Sequence, residues 1–272
     1  MTPQRQVLGC SRRMLPMLAA CALLFVSGTL TQQVRAETAP VVAAAAASLR
    51  YALDDIAAAF EQQTRQRVRF TYAATRSLMH QIENGAPYEL FLAADEESVR
   101  RLADKGRTQG AQSVLARGRI ALVAPSGSPV SVDGELAGLA DALAAGNVDH
   151  VAIANPEVAP YGRAAREVLQ KAGLWDDLTT RLVSGENVGQ AAQFATTGAA
   201  QAGLIAYSLA VSSEVAPRVT VALIPEDWHH PINHGMALLK GAGETARAFA
   251  AFLKSEQARA ILERSGFAAP QP

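Results

Sequence analysis

Short β-rich runs alternate with amphipathic helical patterns along this 272-residue chain, and that alternation restricts the possible fold more than any other feature. Strand-like runs fall at 41–45, 68–72, 90–93, 120–124, 151–154, 202–206, 219–224 and 236–239. Helical patterns lie at 49–64, 76–84, 96–105, 135–145, 162–172, 189–197, 245–254 and 256–264. Parallel strands need long crossovers, usually helical, so the alternation predicts an α/β fold with largely parallel sheets flanked by helices. Apolar residues reach 49% and charged ones 18%, enough for one large core or two lobes. "APSGSPVSVDG" (124–134) is the most loop-like stretch and follows a strand. It is expected to carry the chain into a second lobe. The expected division is a first lobe of 37–123 returning with 230–272, and a second lobe of 124–229.

The helix beginnings carry the functional signal. A helix N-terminus is partly positive and attracts acids into its first turn. "AADEESVRRLADKG" (93–106) obeys the habit, with Asp95, Glu96 and Glu97 leading. The helix after Ser48 does not: Ser48, Leu49, Arg50 and Tyr51 supply no acid, and Asp54 is the first. Thr75 opens a helix whose first acid is Glu83, and Pro160, Tyr161 and Gly162 open one whose first acid is Glu167. Val188, Gly189 and Gln190 start a fourth, with Glu186 just ahead. One such start is ordinary hydroxyl capping. Four, each after a strand, point to an external anion held by helix ends. Leu49→Asp is the substitution expected to oppose an anion at the first of them.

Residues 1–36 read as an export signal. Arg12 and Arg13 precede the apolar stretch "MLPMLAACALLFVSGTL", and "VRA" places β-branched Val34 and small Ala36 at the positions a signal peptidase reads, suited to cleavage after Ala36. "SRRML" resembles a twin-arginine signal. "LAAC" resembles a lipoprotein box at Cys21, but the greasy residues that follow favour simple cleavage and a periplasmic product. Both cysteines, Cys10 and Cys21, lie in this segment, leaving the mature chain without disulfide or thiolate chemistry. The segment carries four arginines and no acid, so the remainder holds 21 bases against 25 acids. An acidic body without basic runs argues against a nucleic-acid partner.

Five blocks together are similar to the periplasmic molybdate-binding proteins of ABC transporters: "AAASLRYALDDIAAAFEQQT", "QIENGAPYELFLAADEESVRRLADKG", "ANPEVAPYGRAAREVLQKAGLWDDL", "GENVGQAAQFA" and "AGLIAYSLA". The resemblance runs to "GFAAP" near the end of the chain. It implies a two-lobed periplasmic binding protein fold, each lobe a largely parallel sheet flanked by helices. It also implies a tetrahedral dianion, molybdate or tungstate, held in the cleft by neutral donors without a metal cation or cofactor. Carried over by position, the donors are the hydroxyls and amides at Ser48 and Thr75, and the backbone amides of Tyr161 and Val188. Many relatives have serine at the place of Thr75. Some use a tyrosine hydroxyl in the block matching "GLIAYS"; Ala206 stands there and Tyr207 follows one position later. Tyr207 is kept as a candidate, although strand alternation would turn it away. The implied partners are a membrane permease and its ATPase subunit, with the binding protein itself a monomer.

A site made only of donors suits an oxyanion without protons, because the O–H of hydrogen phosphate would lack an acceptor. Sulfate passes that test, so a sulfate or other oxyanion receptor is the nearest rival. A periplasmic hydrolase using the same cleft is the rival of another class. It lacks a GxSxG elbow, a phosphate-binding loop and a nucleophile–base pair, so no enzyme is expected. "HHPINH" (229–234) reads as loop histidines, since Pro231 breaks the helix that would align two of them on a metal. "GAGET" (241–245) reads as a loop before a helix.

Overall fold

The computed structural model of the chain describes residues 41–270. The expected signal at 1–36, with Cys10 and Cys21, lies outside the described residues. The strands are β1 (Val41–Ala46), β2 (Val68–Ala73), β3 (Leu90–Leu92), β4 (Thr108–Gly118), β5 (Ile120–Pro125), β6 (Val151–Ala154), β7 (Leu182–Gly185), β8 (Ala202–Ala206), β9 (Val219–Leu223) and β10 (Ile232–Leu239). The helices are α1 (Arg50–Thr64), α2 (Thr75–Glu83), α3 (Glu96–Asp104), α4 (Ala137–Ala144), α5 (Pro160–Lys171), α6 (Trp175–Leu178), α7 (Val188–Thr196), α8 (Tyr207–Ala210), α9 (Glu244–Phe252) and α10 (Glu256–Arg264).

They form two five-stranded sheets, ordered β2-β1-β3-β10-β4 and β7-β6-β8-β5-β9. In the first, β1 lies parallel between β2 and β3, while β10 is antiparallel to β3 and β4. The second repeats the plan: β6 lies parallel between β7 and β8, and β5 is antiparallel to β8 and β9. Four of the five strands in each sheet therefore share one direction.

Strands covered on both faces read as continuous apolar runs, as "VVAAAA" and "LFL" do. Alternation then sorts their side chains between faces. Ala43, Ala45, Leu90 and Leu92 join the core that holds Leu53, Ile56 and Phe60 of α1. Ala44 and Phe91 join Leu78 and Met79 of α2 and Leu102 of α3. Phe60 meets Phe249 of α9 edge-on, ring centroids 5.1 Å apart, so the end of the chain returns to the first sheet.

Three features depart from the sequence-based expectation. The chain changes sheets at Arg119, not within 124–134: β4 belongs to the first sheet and β5 pairs with β8 and β9 in the second. A single residue separates the two strands, too little for any composition shift to mark. The loop after β5 stays with the second sheet, leading to α4. Strands β4 and β7 were not expected at all. β4 is a polar edge strand, "TQGAQSVLARG", largely unburied and interrupted by register shifts opposite β10, so it carries little apolar alternation. The second crossing lies between Leu223 and Ile232. Arg117 pairs with Glu226 and ties the two crossings together.

Candidate functional site

Because β1, β2 and β3 run parallel, their C-terminal ends share one edge of the first sheet, where open α/β sheets place their ligands. Ser48 follows β1 in a 3-10 turn (Ala47–Leu49), and Thr75 opens α2 just after β2. In the second sheet β6 and β7 end in the same way ahead of α5 and α7, which bring Tyr161 and Val188. All four of these residues line a single small cavity, together with Ala47, Ala74, Ala94 and Asn187. No charged side chain lines it. Its volume is about 10 Å³, room for roughly one water-sized sphere.

The helix ends around this cavity lack both acids and, in three cases, caps. The 3-10 turn before α1 and helices α2 and α5 have no acid in the first turn and no side chain accepting from their first amides. Helix α7 also begins without an acid; Asn187 Oδ1 accepts from Gly189 and Gln190, leaving the Val188 amide ahead of it. Helices α3 and α4, which do not line the cavity, are compensated internally. Asp95 caps α3 by accepting from Ser98 at 2.8 Å, with Glu96 and Glu97 in the turn. Asp133 accepts from Ala137 and Gly138 at the start of α4. One part of the pattern has a packing cause. Ala47, Ser48 and Leu49 are buried, Leu49 completely, so Leu49→Asp would put a carboxylate into the core rather than at an open helix end.

The two hydroxyls are held from behind. Thr75 Oγ1 accepts a hydrogen bond from the Ala94 amide at 2.9 Å, which leaves its own proton to donate elsewhere. Ser48 Oγ lies 2.9 Å from His234 Nε2, and its carbonyl accepts from Ser208 Oγ at 2.8 Å. The Tyr161 ring is buried beside them and its hydroxyl makes no hydrogen bond of ordinary geometry. Burial raises the pKa of that phenol, keeping it a proton donor, with Ser48 and Arg119 acting weakly the other way. Gly118 makes room for both rings. A Cβ there would fall well inside contact with the Tyr161 hydroxyl and 2.7 Å from His234 Cε1.

Tyr207 is a correction. Strand β8 ends at Ala206, so Tyr207 opens α8 and does not line the cavity. Its ring lies beneath the Arg119 guanidinium, 4.6 Å from ring centroid to Cζ. The tyrosine hydroxyl beside Ser48 is that of Tyr161, a residue expected to give only its amide. His234 is a second correction: it is a fully buried strand residue of β10, not a loop histidine. Sequence parity held the signal, since His234 alternates with Ile232 and Met236, both buried. Among the described residues no group of three or more His, Cys, Asp or Glu side chains could hold a metal ion. Two acids stand next to lining residues in sequence, Asp95 and Glu186; Asp95 is occupied by its own helix and by Arg163 Nη2 at 2.9 Å.

Such an arrangement presents dipoles and N–H or O–H donors, and no acceptor carboxylate, to whatever occupies it. Comparison with known proteins agrees in kind. Residues 41–268 match the family model of bacterial extracellular solute-binding proteins. The molybdate-binding protein ModA of Rhodobacter capsulatus is 34% identical over 230 residues, covering 84% of this chain and 87% of that protein. ModA of Escherichia coli is 32% identical over 259 residues, covering 94% and 98%. The solved periplasmic molybdate-binding protein of Azotobacter vinelandii superposes with a TM-score of 0.77 at 30% identity, covering 85% of this chain and all of that one. With the same two-sheet fold, donor-lined helix ends at one edge and this extent of shared sequence, the chain belongs to the bacterial extracellular solute-binding proteins, alongside the molybdate-binding ModA proteins.

Proposed function

We propose that this chain captures molybdate, with tungstate as its alternative ligand, and delivers it to a membrane permease driven by an ATPase. The observation that carries this reading is the convergence of acid-poor helix starts from both sheets on one cavity walled by neutral groups. Helix ends offer preorganised partial positive charge, and a dianion gains from several of them without a fixed counter-charge to desolvate. Thr75, whose oxygen already accepts from Ala94, favours an ion that only accepts. The names of the relatives point to molybdate among such ions. In this reading residues 1–36 are the cleaved export signal and the mature protein works in the periplasm.

The lobes follow the sheets: β1–β4 with β10 make the first, and β5–β9 the second, with crossings at Arg119 and 224–231. Ser208 Oγ reaches the Ser48 carbonyl, and the Arg76 amide reaches the Val158 carbonyl at 3.1 Å, contacts between the lobes that support reading this as the closed arrangement. A cavity of about 10 Å³ must widen to admit a tetroxo ion. An ion gripped by both lobes has differential affinity for closure and must shift the population toward it. Solution scattering is expected to show a smaller radius of gyration on adding molybdate and no change with phosphate. An unchanged radius, with molybdate binding confirmed separately, would leave a static pocket and remove the two-lobe clamp.

A further inference from the structure

Ser48 and His234 stand 186 residues apart in sequence and 2.9 Å apart in space, both buried. The imidazole is boxed in by Phe267, edge-on with centroids 5.1 Å apart, by Tyr161 at 6.1 Å and by Gly118. Burial lowers the His234 pKa to about 3, opposed in part by the Ile232 carbonyl, so the ring is neutral at any ordinary pH. A neutral imidazole has one N–H and one bare nitrogen. Here that choice decides what the serine proton does. With the proton on Nε2, the ring donates to Ser48 Oγ and the serine O–H must point elsewhere. With Nε2 bare, Ser48 spends its hydrogen on the ring, and the cavity loses a donor.

We propose that His234 is a positioning residue of the oxyanion site: as the Nε2–H tautomer it donates to Ser48 Oγ and so commits the serine hydroxyl to donate to the bound ion. The proposal rests on the oxyanion reading above. Two features support it besides the Ser48 contact. Nδ1 is buried and, although the Ile232 carbonyl acts on the ring, makes no hydrogen bond of ordinary geometry, and an orphaned N–H is rarer in folded proteins than an under-used acceptor. Thr75 shows the same design, its oxygen fed by the Ala94 N–H from behind. Each hydroxyl, ambiguous by nature, is thereby turned into a donor facing the cavity. The consequence is selectivity. With one lone pair of Ser48 taken by the ring, Ser48 is a poorer acceptor for the O–H of a protonated oxyanion, so His234 sharpens rejection of hydrogen phosphate.

The direct test is nitrogen NMR of the intact protein labelled with ¹⁵N-histidine and loaded with molybdate, the His234 ring assigned through its coupling to the β10 backbone. The expected spectrum shows a protonated Nε2 and a bare Nδ1. A protonated Nδ1, donating toward the Ile232 carbonyl, overturns the proposal. In His234→Phe, molybdate affinity is expected to fall about tenfold, the scale of one charge-assisted hydrogen bond, and the preference over phosphate to shrink. Undiminished molybdate affinity, or a loss of molybdate affinity with phosphate still giving no heat of binding, contradicts a role in polarity. If that variant does not fold, the tautomer in the unaltered protein decides alone. A wild-type protein that fails to bind molybdate removes the oxyanion reading itself; one that binds it through an Nδ1–H ring removes only the role given to His234.

Discussion

The double substitution Ser48→Ala, Thr75→Ala is expected to take molybdate binding out of the measurable range. Each hydroxyl lines the cavity and is buried. A hydrogen bond to a charged group contributes about 1.5–3 kcal/mol, or roughly 10- to 150-fold in dissociation constant per site. The two hydroxyls serve the same ion in one small cavity, so their losses are expected to be coupled rather than strictly additive, with the double loss exceeding either single one. Thr75→Ala also orphans the Ala94 amide, which now donates to Thr75 Oγ1. That adds a folding cost of about 1–3 kcal/mol unrelated to the ligand. Thr75→Ser separates the two effects: it keeps the oxygen for Ala94 and the proton for the ion, and should restore most of the affinity. Titration calorimetry and thermal melts of the four proteins make the comparison. Normal affinity in the double variant would place the site elsewhere.

Gly118→Ala is the other large effect, and it acts without touching the ligand. Gly118 ends β4, beside the crossing at Arg119, and an added Cβ would collide with the Tyr161 hydroxyl and with His234 Cε1 at 2.7 Å. Neither ring can step aside, since Tyr161 and His234 are both fully enclosed. Overpacking of this kind typically costs about 1–3 kcal/mol, or roughly 2–4 °C of melting temperature per kcal/mol in a chain of this size. The larger consequence is displacement of Tyr161, whose amide opens α5 at the cavity. Molybdate affinity should drop at least about tenfold, since one well-placed donor to an anion is worth that much. A Gly118→Ala protein with unaltered affinity would show that the Tyr161–His234 box does not shape the site.

Much of this was legible before the fold was known. The eight expected strands are all present, because buried runs such as "VVAAAA", "LFL" and "VAIA" have few other uses. The contrast between the Asp95-led helix and the acid-free starts at Thr75, Tyr161 and Val188 is present in the structure, since helix-end electrostatics depend on local sequence. At Ser48 the missing acid also has a packing cause, the burial of Ala47, Ser48 and Leu49. Distant packing was harder to read. Nothing near His234 announces a partner 186 residues away, and the glycine and asparagine beside it hide the strand to which it belongs. Gly118 shows no positive backbone angle that a turn would need; its reason is the Tyr161 ring arriving from helix α5 and the His234 ring on the neighbouring strand. Tyr207 failed for a local cause, the end of β8 one residue earlier.

Titration calorimetry of the purified protein with molybdate, tungstate, sulfate and phosphate at neutral pH tests the central claim most directly. A cavity offering donors alone should bind molybdate and tungstate tightly and sulfate more weakly, because its tetrahedron is smaller. Phosphate should leave no heat of binding, since its remaining proton finds no acceptor among Ser48, Thr75, Tyr161 and Val188. Phosphate binding as tight as that of molybdate, or the absence of any molybdate heat, would contradict the account.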